Sequence, residues 1–160
     1  MALEYLTPHL TMGQETLAEC LDDQTKALLL LHWQEIAPHQ DIPLDPNYAV
    51  YVDLEDRGFL RCYIVRDHGI VQGYCAFVVV QSRKCQTSTE AFCDVLWLVP
   101  RLRRGRLGIR FLTWCDEQLA KEGVQVIRHF VQRTYDFSPI LTRLGYEQEQ
   151  TVYARRVDRG

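Results

Sequence analysis

No run of apolar residues in this 160-residue chain is long enough to cross a bilayer. Residues 1–30 are acidic and carry no signal-peptide pattern, so no leader is expected there. There is no C-x-x-C pair and no histidine spacing that would complete a zinc site, although cysteines stand at 20, 62, 75, 85, 93 and 115. Several fall inside expected strands or helices, so reduced, buried thiols in a cytoplasm are the reading they support, and no metal is expected. An excess of basic charge is also missing. Lys and Arg number 18 against 21 Asp and Glu, a net charge of −3, which argues against general nucleic-acid binding. Internal repeats, low-complexity segments and dividing linkers are absent. One domain over residues 1–160 is expected, with 47% hydrophobic and 24% charged residues supplying an ordinary core.

What is present is organised around residues 90–131. Phe92 to Val99 is an apolar run suited to one buried strand, and Pro100, which has no amide to give a ladder, ends it. A basic turn with glycines at 105 and 108 follows. Ile109, Phe111, Leu112, Cys115 and Leu119 then recur at helical spacing up to Glu122, and Gly123 stands where a left-handed cap is wanted. Val124 to Ile127 reads as a second strand, which completes a strand–helix–strand unit.

The turn has the chemistry of an anion cradle. A helix start leaves unpaired N–H groups and about half a positive charge, and Arg101, Arg103, Arg104 and Arg106 surround it. A di-anion such as a pyrophosphate is the ligand this favours, against the plainer reading of a solvated basic turn.

The remaining elements follow from caps and turn signals. Leu3 to Leu6 is expected as an edge strand. Thr11 is expected to cap a helix through Leu17, Leu21, Leu28 and Leu31, broken near Asp22-Asp23, with His32, Trp33 and Glu35 on its last turns. Asp45-Pro46 predicts a second helix start, and Gly58 its end. Asp67-His68-Gly69 predicts a hairpin turn between strands 59–66 and 70–81, and Ser82 to Thr89 a polar loop. A short helix should begin near Asp136-Phe137-Ser138-Pro139 and stop at Leu144-Gly145, before a last strand from Tyr146 to Arg155. The fold class expected is α/β, a mixed central β-sheet flanked by helices on both faces.

Leu98-Val99-Pro100-Arg101-Leu102-Arg103-Arg104-Gly105-Arg106-Leu107-Gly108 resembles the coenzyme A loop of the GNAT superfamily of N-acetyltransferases, with Arg106 where the family usually has glycine. Arg143-Leu144-Gly145-Tyr146 resembles the family's turn into its closing strand, and the layout is similar to small GNAT proteins encoded by tailed bacteriophages. The resemblance implies acetyl-CoA as cosubstrate and direct transfer of the acetyl group to an amine of a protein or small molecule. It implies pantetheine and oxyanion contacts at Leu96, Trp97 and Leu98, and coenzyme contacts at Arg103, Arg104, Gly105, Arg106, Leu107, Gly108 and Ile109. A phage origin would make a host protein the partner and the host cytoplasm the location, with the chain a monomer or homodimer.

A lysine-type amine with pKa near 10.4 costs about 4–5 kcal/mol to deprotonate at pH 7, so a base matters. Asp94, two residues from Leu96 and expected on its strand face, is the first candidate, as a buried carboxylate relaying a proton through water. The alternative is a loop partner for Arg83 or Lys84. Glu35, one helical turn from His32, and His129 at the end of the second strand are further candidates, with solvated and structural readings beside them. Where many family members carry a tyrosine acid, this chain has Leu141; Tyr135 is the possible substitute. The competing class is an acetyltransferase scaffold that binds a partner without efficient turnover, or that grips an acidic protein or RNA through residues 83, 84, 101, 103, 104 and 106.

Overall fold

The computed structural model describes residues 4–5 and 9–159. Among the described residues the sheet has six strands in sequence order: β1 (Glu4–Tyr5), β2 (Leu10–Glu15), β3 (Leu60–Asp67), β4 (Ile70–Gln81), β5 (Thr89–Leu98) and β6 (Val126–Arg128). Neighbours from β1 to β5 pair antiparallel, and β6 pairs parallel to β5, so the sheet is mixed. Helices α1 (Leu17–Cys20), α2 (Asp23–Ile36) and α3 (Tyr48–Asp56) separate β2 from β3. Helix α4 (Leu107–Lys121) crosses from β5 to β6, and α5 (Ser138–Arg143) follows.

Two apolar clusters show why helices cover both faces. Met12, Tyr63, Val65, Cys75 and Phe77 pack against Phe111, Trp114, Cys115 and Leu119 of α4. On the other face Cys62, Ile64, Tyr74, Ala76 and Trp97 meet Cys20, Leu28, Tyr51 and Leu54 from α1, α2 and α3. The middle strands β3, β4 and β5 feed both clusters because successive side chains point to opposite faces.

Several boundaries differ from expectation. Thr11 caps no helix: it sits in β2, and the caps are Thr16, in a capping box with Glu19, and Asp22, whose side chain accepts from the Thr25 amide. The break near Asp22-Asp23 is real and separates α1 from α2. Helix α3 begins at Tyr48, two residues beyond the expected start, because Asp45 makes no cap and Asn47 takes that position. The hairpin turn is as expected: His68 and Gly69 have φ of 50° and 80°, the left-handed pair of a type I′ turn. The edge strand is seen at Glu4–Tyr5, while Leu3 and Leu6 lie outside the described residues.

The last strand is the clearest correction. Residues 146–157 form no strand. Glu147, Gln148, Glu149 and Gln150 are all polar and exposed, so the segment has no alternating apolar face to bury. Beyond Tyr146, whose hydroxyl donates to Asp116, its anchors are ionic: Arg128 holds Glu149, and Arg156 and Arg159 hold Asp41 of the loop before α3.

All six cysteines are unpaired, and only Cys85 is exposed. Burial pushes the Cys75 thiol well up and the Cys115 thiol up, which keeps them protonated. A thiol reagent added to native protein should therefore modify Cys85 alone, and unfolding without reductant should release the other five for titration. Fewer than six thiols in freshly prepared, air-protected protein would show bridges and overturn the reduced assignment.

Candidate active site

The site begins where β5 and β6 part. They pair only at Glu90, Ala91 and Phe92 against Val126, Ile127 and Arg128, after which β5 runs on to Leu98 with one edge open. The Val99 amide donates to Gln72 O on β4, so alternation turns the N–H groups of Leu96 and Leu98 to the open edge. Gly73 allows β4 to lie this close: a Cβ there would meet Leu98 Cδ2 at 2.2 Å. Gly73 carries no functional signal in the sequence, since a glycine inside an apolar strand signals close approach without naming what approaches.

A β-bulge shapes the middle of β5. Ala76 pairs with Val95 but Phe77 with Cys93, leaving Asp94 as the extra residue. Ala91 and Cys93 therefore face the α4 cluster, whereas Val95 and Trp97 face the α2–α3 side. The expectation that Asp94 shares a face with Leu96 and Leu98 fails here, because strict alternation does not survive a bulge. Leu96 and Leu98 pack toward α4, while Asp94 accepts a 2.8 Å hydrogen bond from the Tyr51 hydroxyl on α3. Asp94 is also exposed rather than buried, and its partner is Tyr51, not Arg83 or Lys84.

Beyond Leu98 a 3-10 turn (Pro100–Leu102) leads to α4. Helix α4 starts without a side-chain cap and without an acid in its first turn. Among the described residues, the backbone N–H groups of residues 104–109 find no acceptor. Gly105, with φ of 89°, turns the chain there, and Arg104 and Arg106 flank it, both exposed and with no ion pair among the described residues. Gly108 and Ile109 stand in the first helical turn. Amides, helix start and two unengaged arginines make an electropositive cradle directly below the open edge of β5.

The other two arginines of the run are committed elsewhere. Arg101 bonds Asp67 and Gln72 at 2.7 and 2.9 Å. Arg103 donates to Leu98 O at 2.7 Å and forms a two-pronged pair with Glu35 at 2.6 and 2.9 Å. Its guanidinium also lies over the rings of Trp97 and Tyr135. In this state Arg103 fastens the loop to α2, and its donors are not turned to the cradle.

That pair removes Glu35 from the candidate bases. Hydrogen bonds from Arg103, with a further one from Trp97, hold its carboxyl below the usual range, and such a group accepts a proton poorly. His32 is buried, bonds the Tyr74 hydroxyl at 2.9 Å, and is pushed down to about 4 by that burial, so it stays neutral at pH 7. His129 does not face the cleft. It packs against Phe77, Phe137 and Tyr146, with neither ring nitrogen hydrogen-bonded among the described residues. Tyr135 lies beside Arg103 at the cleft, and burial pushes its hydroxyl up, so it remains a proton donor. Leu141 is buried in the core.

On the α2–α3 side of β5 a cavity of about 650 Å³ opens between α2, α3, the middle strands and residues 130–137. Asp94, Leu96 and Tyr135 line it, so the bulge, the open strand edge and the tyrosine converge on one space.

No protein-family profile matches the sequence, and no curated protein sequence does. Solved structures do share the fold. An aminoglycoside acetyltransferase from an uncultured soil metagenomic sample, in complex with trehalose, superposes with a TM-score of 0.68 at 12% identity over 96% of this chain and 99% of that one. A predicted acetyltransferase with acetyl-CoA from Clostridium acetobutylicum gives 0.66 at 7% identity over 94% and 98%. A transcriptional regulator from Bacillus halodurans gives 0.72 at 12% identity over 92% and 99%. The chain thus has the α/β fold of the GNAT acetyltransferases. No helix among the described residues is long and apolar enough to cross a membrane.

Proposed function

We propose that the chain is an acetyl-CoA-dependent N-acetyltransferase that moves the acetyl group directly to an amine. The observation that carries this reading is the run of unpartnered amides at 104–109, set at a helix start below an open strand edge. The pyrophosphate of the coenzyme rests on those amides with Arg104 and Arg106 beside it, and the pantetheine arm follows the edge of Leu96, Trp97 and Leu98. The Leu96 amide is the donor for the thioester oxygen as charge develops on it. Asp94 receives the amine proton, directly or through water, and Tyr135 protonates the departing thiolate. Arg103 and Glu35 hold the loop against α2 rather than taking part in the transfer. Solved relatives with the same fold act on or bind aminoglycosides and acetyl-CoA, which supports a small amine as acceptor. A host protein amine in a host cytoplasm is the alternative acceptor that the resemblance to phage-encoded chains implies.

Calorimetric titration with coenzyme A tests this. The wild type should bind, and the double variant Arg104→Ala, Arg106→Ala should lose tenfold or more, since charge-assisted contacts contribute about 1.5–3 kcal/mol each. The loss should shrink as salt rises. A wild type that does not bind coenzyme A would sink the proposal and leave the partner-binding scaffold as the better account.

A further inference from the structure

The walls of the cavity say what kind of amine it accepts. The residues that line it are mostly aliphatic or aromatic, with Trp33, Tyr48 and Val95 from α2, α3 and β5 and Phe130 and Phe137 from the segment between β6 and α5. Among the lining residues Asp94 is the one carboxylate, and none is a lysine or an arginine. Glu35 lies close in sequence to lining residues, but its carboxylate is already consumed by Arg103 and Trp97. His32, which also lines the cavity, is neutral there.

One carboxylate compensates one ammonium. A second cationic group brought into this space would lose its water against apolar walls with no counter-charge, and unpaired buried charge is strongly penalised. An apolar body on a single amine meets the opposite situation: it leaves water for aromatic and aliphatic surface, while its ammonium reaches Asp94. The cavity's size is that of a small-molecule site.

We infer that the acceptor is a small primary monoamine with an aromatic or aliphatic body, bound ammonium-first toward Asp94, and not a polyamine such as an aminoglycoside. This assignment rests on the acetyltransferase reading for its biological meaning, but its test does not depend on turnover.

The test is calorimetry on the full chain with phenethylamine, phenethyl alcohol, spermidine and a short peptide beginning with phenylalanine. Phenethylamine should bind about tenfold or more tightly than spermidine, because the extra ammoniums find no partner. It should also bind more tightly than the uncharged alcohol, and Asp94→Asn should erase that difference with the fold unchanged by circular dichroism. Spermidine binding as well as phenethylamine, an amine no better than the alcohol, or no phenethylamine binding at all would each overturn the assignment. Tighter binding of the peptide would move the acceptor to a polypeptide N-terminus and also overturn it as stated. Acetyl transfer from acetyl-CoA to the same probes is followed in parallel. Selective phenethylamine binding without turnover counts against the enzyme and for the monoamine site, whereas turnover on spermidine alone does the reverse.

Discussion

Gly108→Glu should abolish measurable coenzyme A binding while the melting temperature holds or rises. The two halves of that result have separate causes. A Cβ at position 108 would meet only Leu98 Cδ1 at 3.9 Å, an ordinary contact, so the side chain is accommodated. Glycine is a weak helix former, and an acid in the first turn of α4, which now has none, complements the helix dipole. The same carboxylate sits among the unpartnered amides and competes for them. It also opposes the incoming phosphates: two like charges about 5 Å apart, at an effective dielectric of about 20, repel by about 3 kcal/mol, or about a hundredfold. Gly73→Ala is the contrasting control, since its Cβ would collide with Leu98 and approach Trp97 O at 3.0 Å. That variant should lose stability first and binding only as a consequence. A Gly108→Glu protein that melts normally and binds coenzyme A with undiminished affinity would place the phosphate site elsewhere.

The loop could be read from sequence because its signal is local. A strand ended by proline, a glycine-bearing turn and a helix of 3.6-residue period specify one another between Phe92 and Glu122. The hairpin at His68-Gly69 was legible for the same reason. What escaped depended on partners distant in the chain. Glu35 and Arg103 are 68 positions apart, so a run of four arginines gave no sign that two of them were engaged elsewhere. The bulge at Asp94 appears only in the pairing of β5 with β4, and it reverses the face on which a strictly alternating strand would place the carboxylate. His129 looked like a strand-end histidine near a cleft; the aromatic rings that enclose it come from β4, from the segment before α5 and from the residue after Gly145. The expected closing strand shows the opposite error. The Leu-Gly-Tyr turn resembles the entry to a closing strand, while the polar composition of 147–150 argues against one.

Asp94→Asn should lower turnover on a monoamine acceptor by about two to four orders of magnitude at neutral pH, the usual worth of a general base. Coenzyme A affinity should barely change, because the cradle at 104–109 is untouched. Stability should hold as well: Asp94 is exposed, and the asparagine amide oxygen can still accept the Tyr51 hydroxyl. Burial and the adjacent carboxylate push the Tyr51 hydroxyl up, so it stays a donor and fixes which way the residue at 94 points. The pH profile then separates proton transfer from positioning. An alkylammonium with pKa near 10.4 is almost wholly protonated at pH 7, so the wild type gains most from a base there. As pH rises toward that value the free amine accumulates without help, and the gap between variant and wild type should narrow. If Asp94 served only to hold Tyr51, Tyr51→Phe would reproduce the loss and the gap would stay constant with pH. A variant with wild-type turnover at pH 7 would remove Asp94 from the reaction altogether. Tyr51→Phe, which keeps the carboxylate but frees it, should instead cost only a few-fold, with the acceptor's KM rising more than kcat falls.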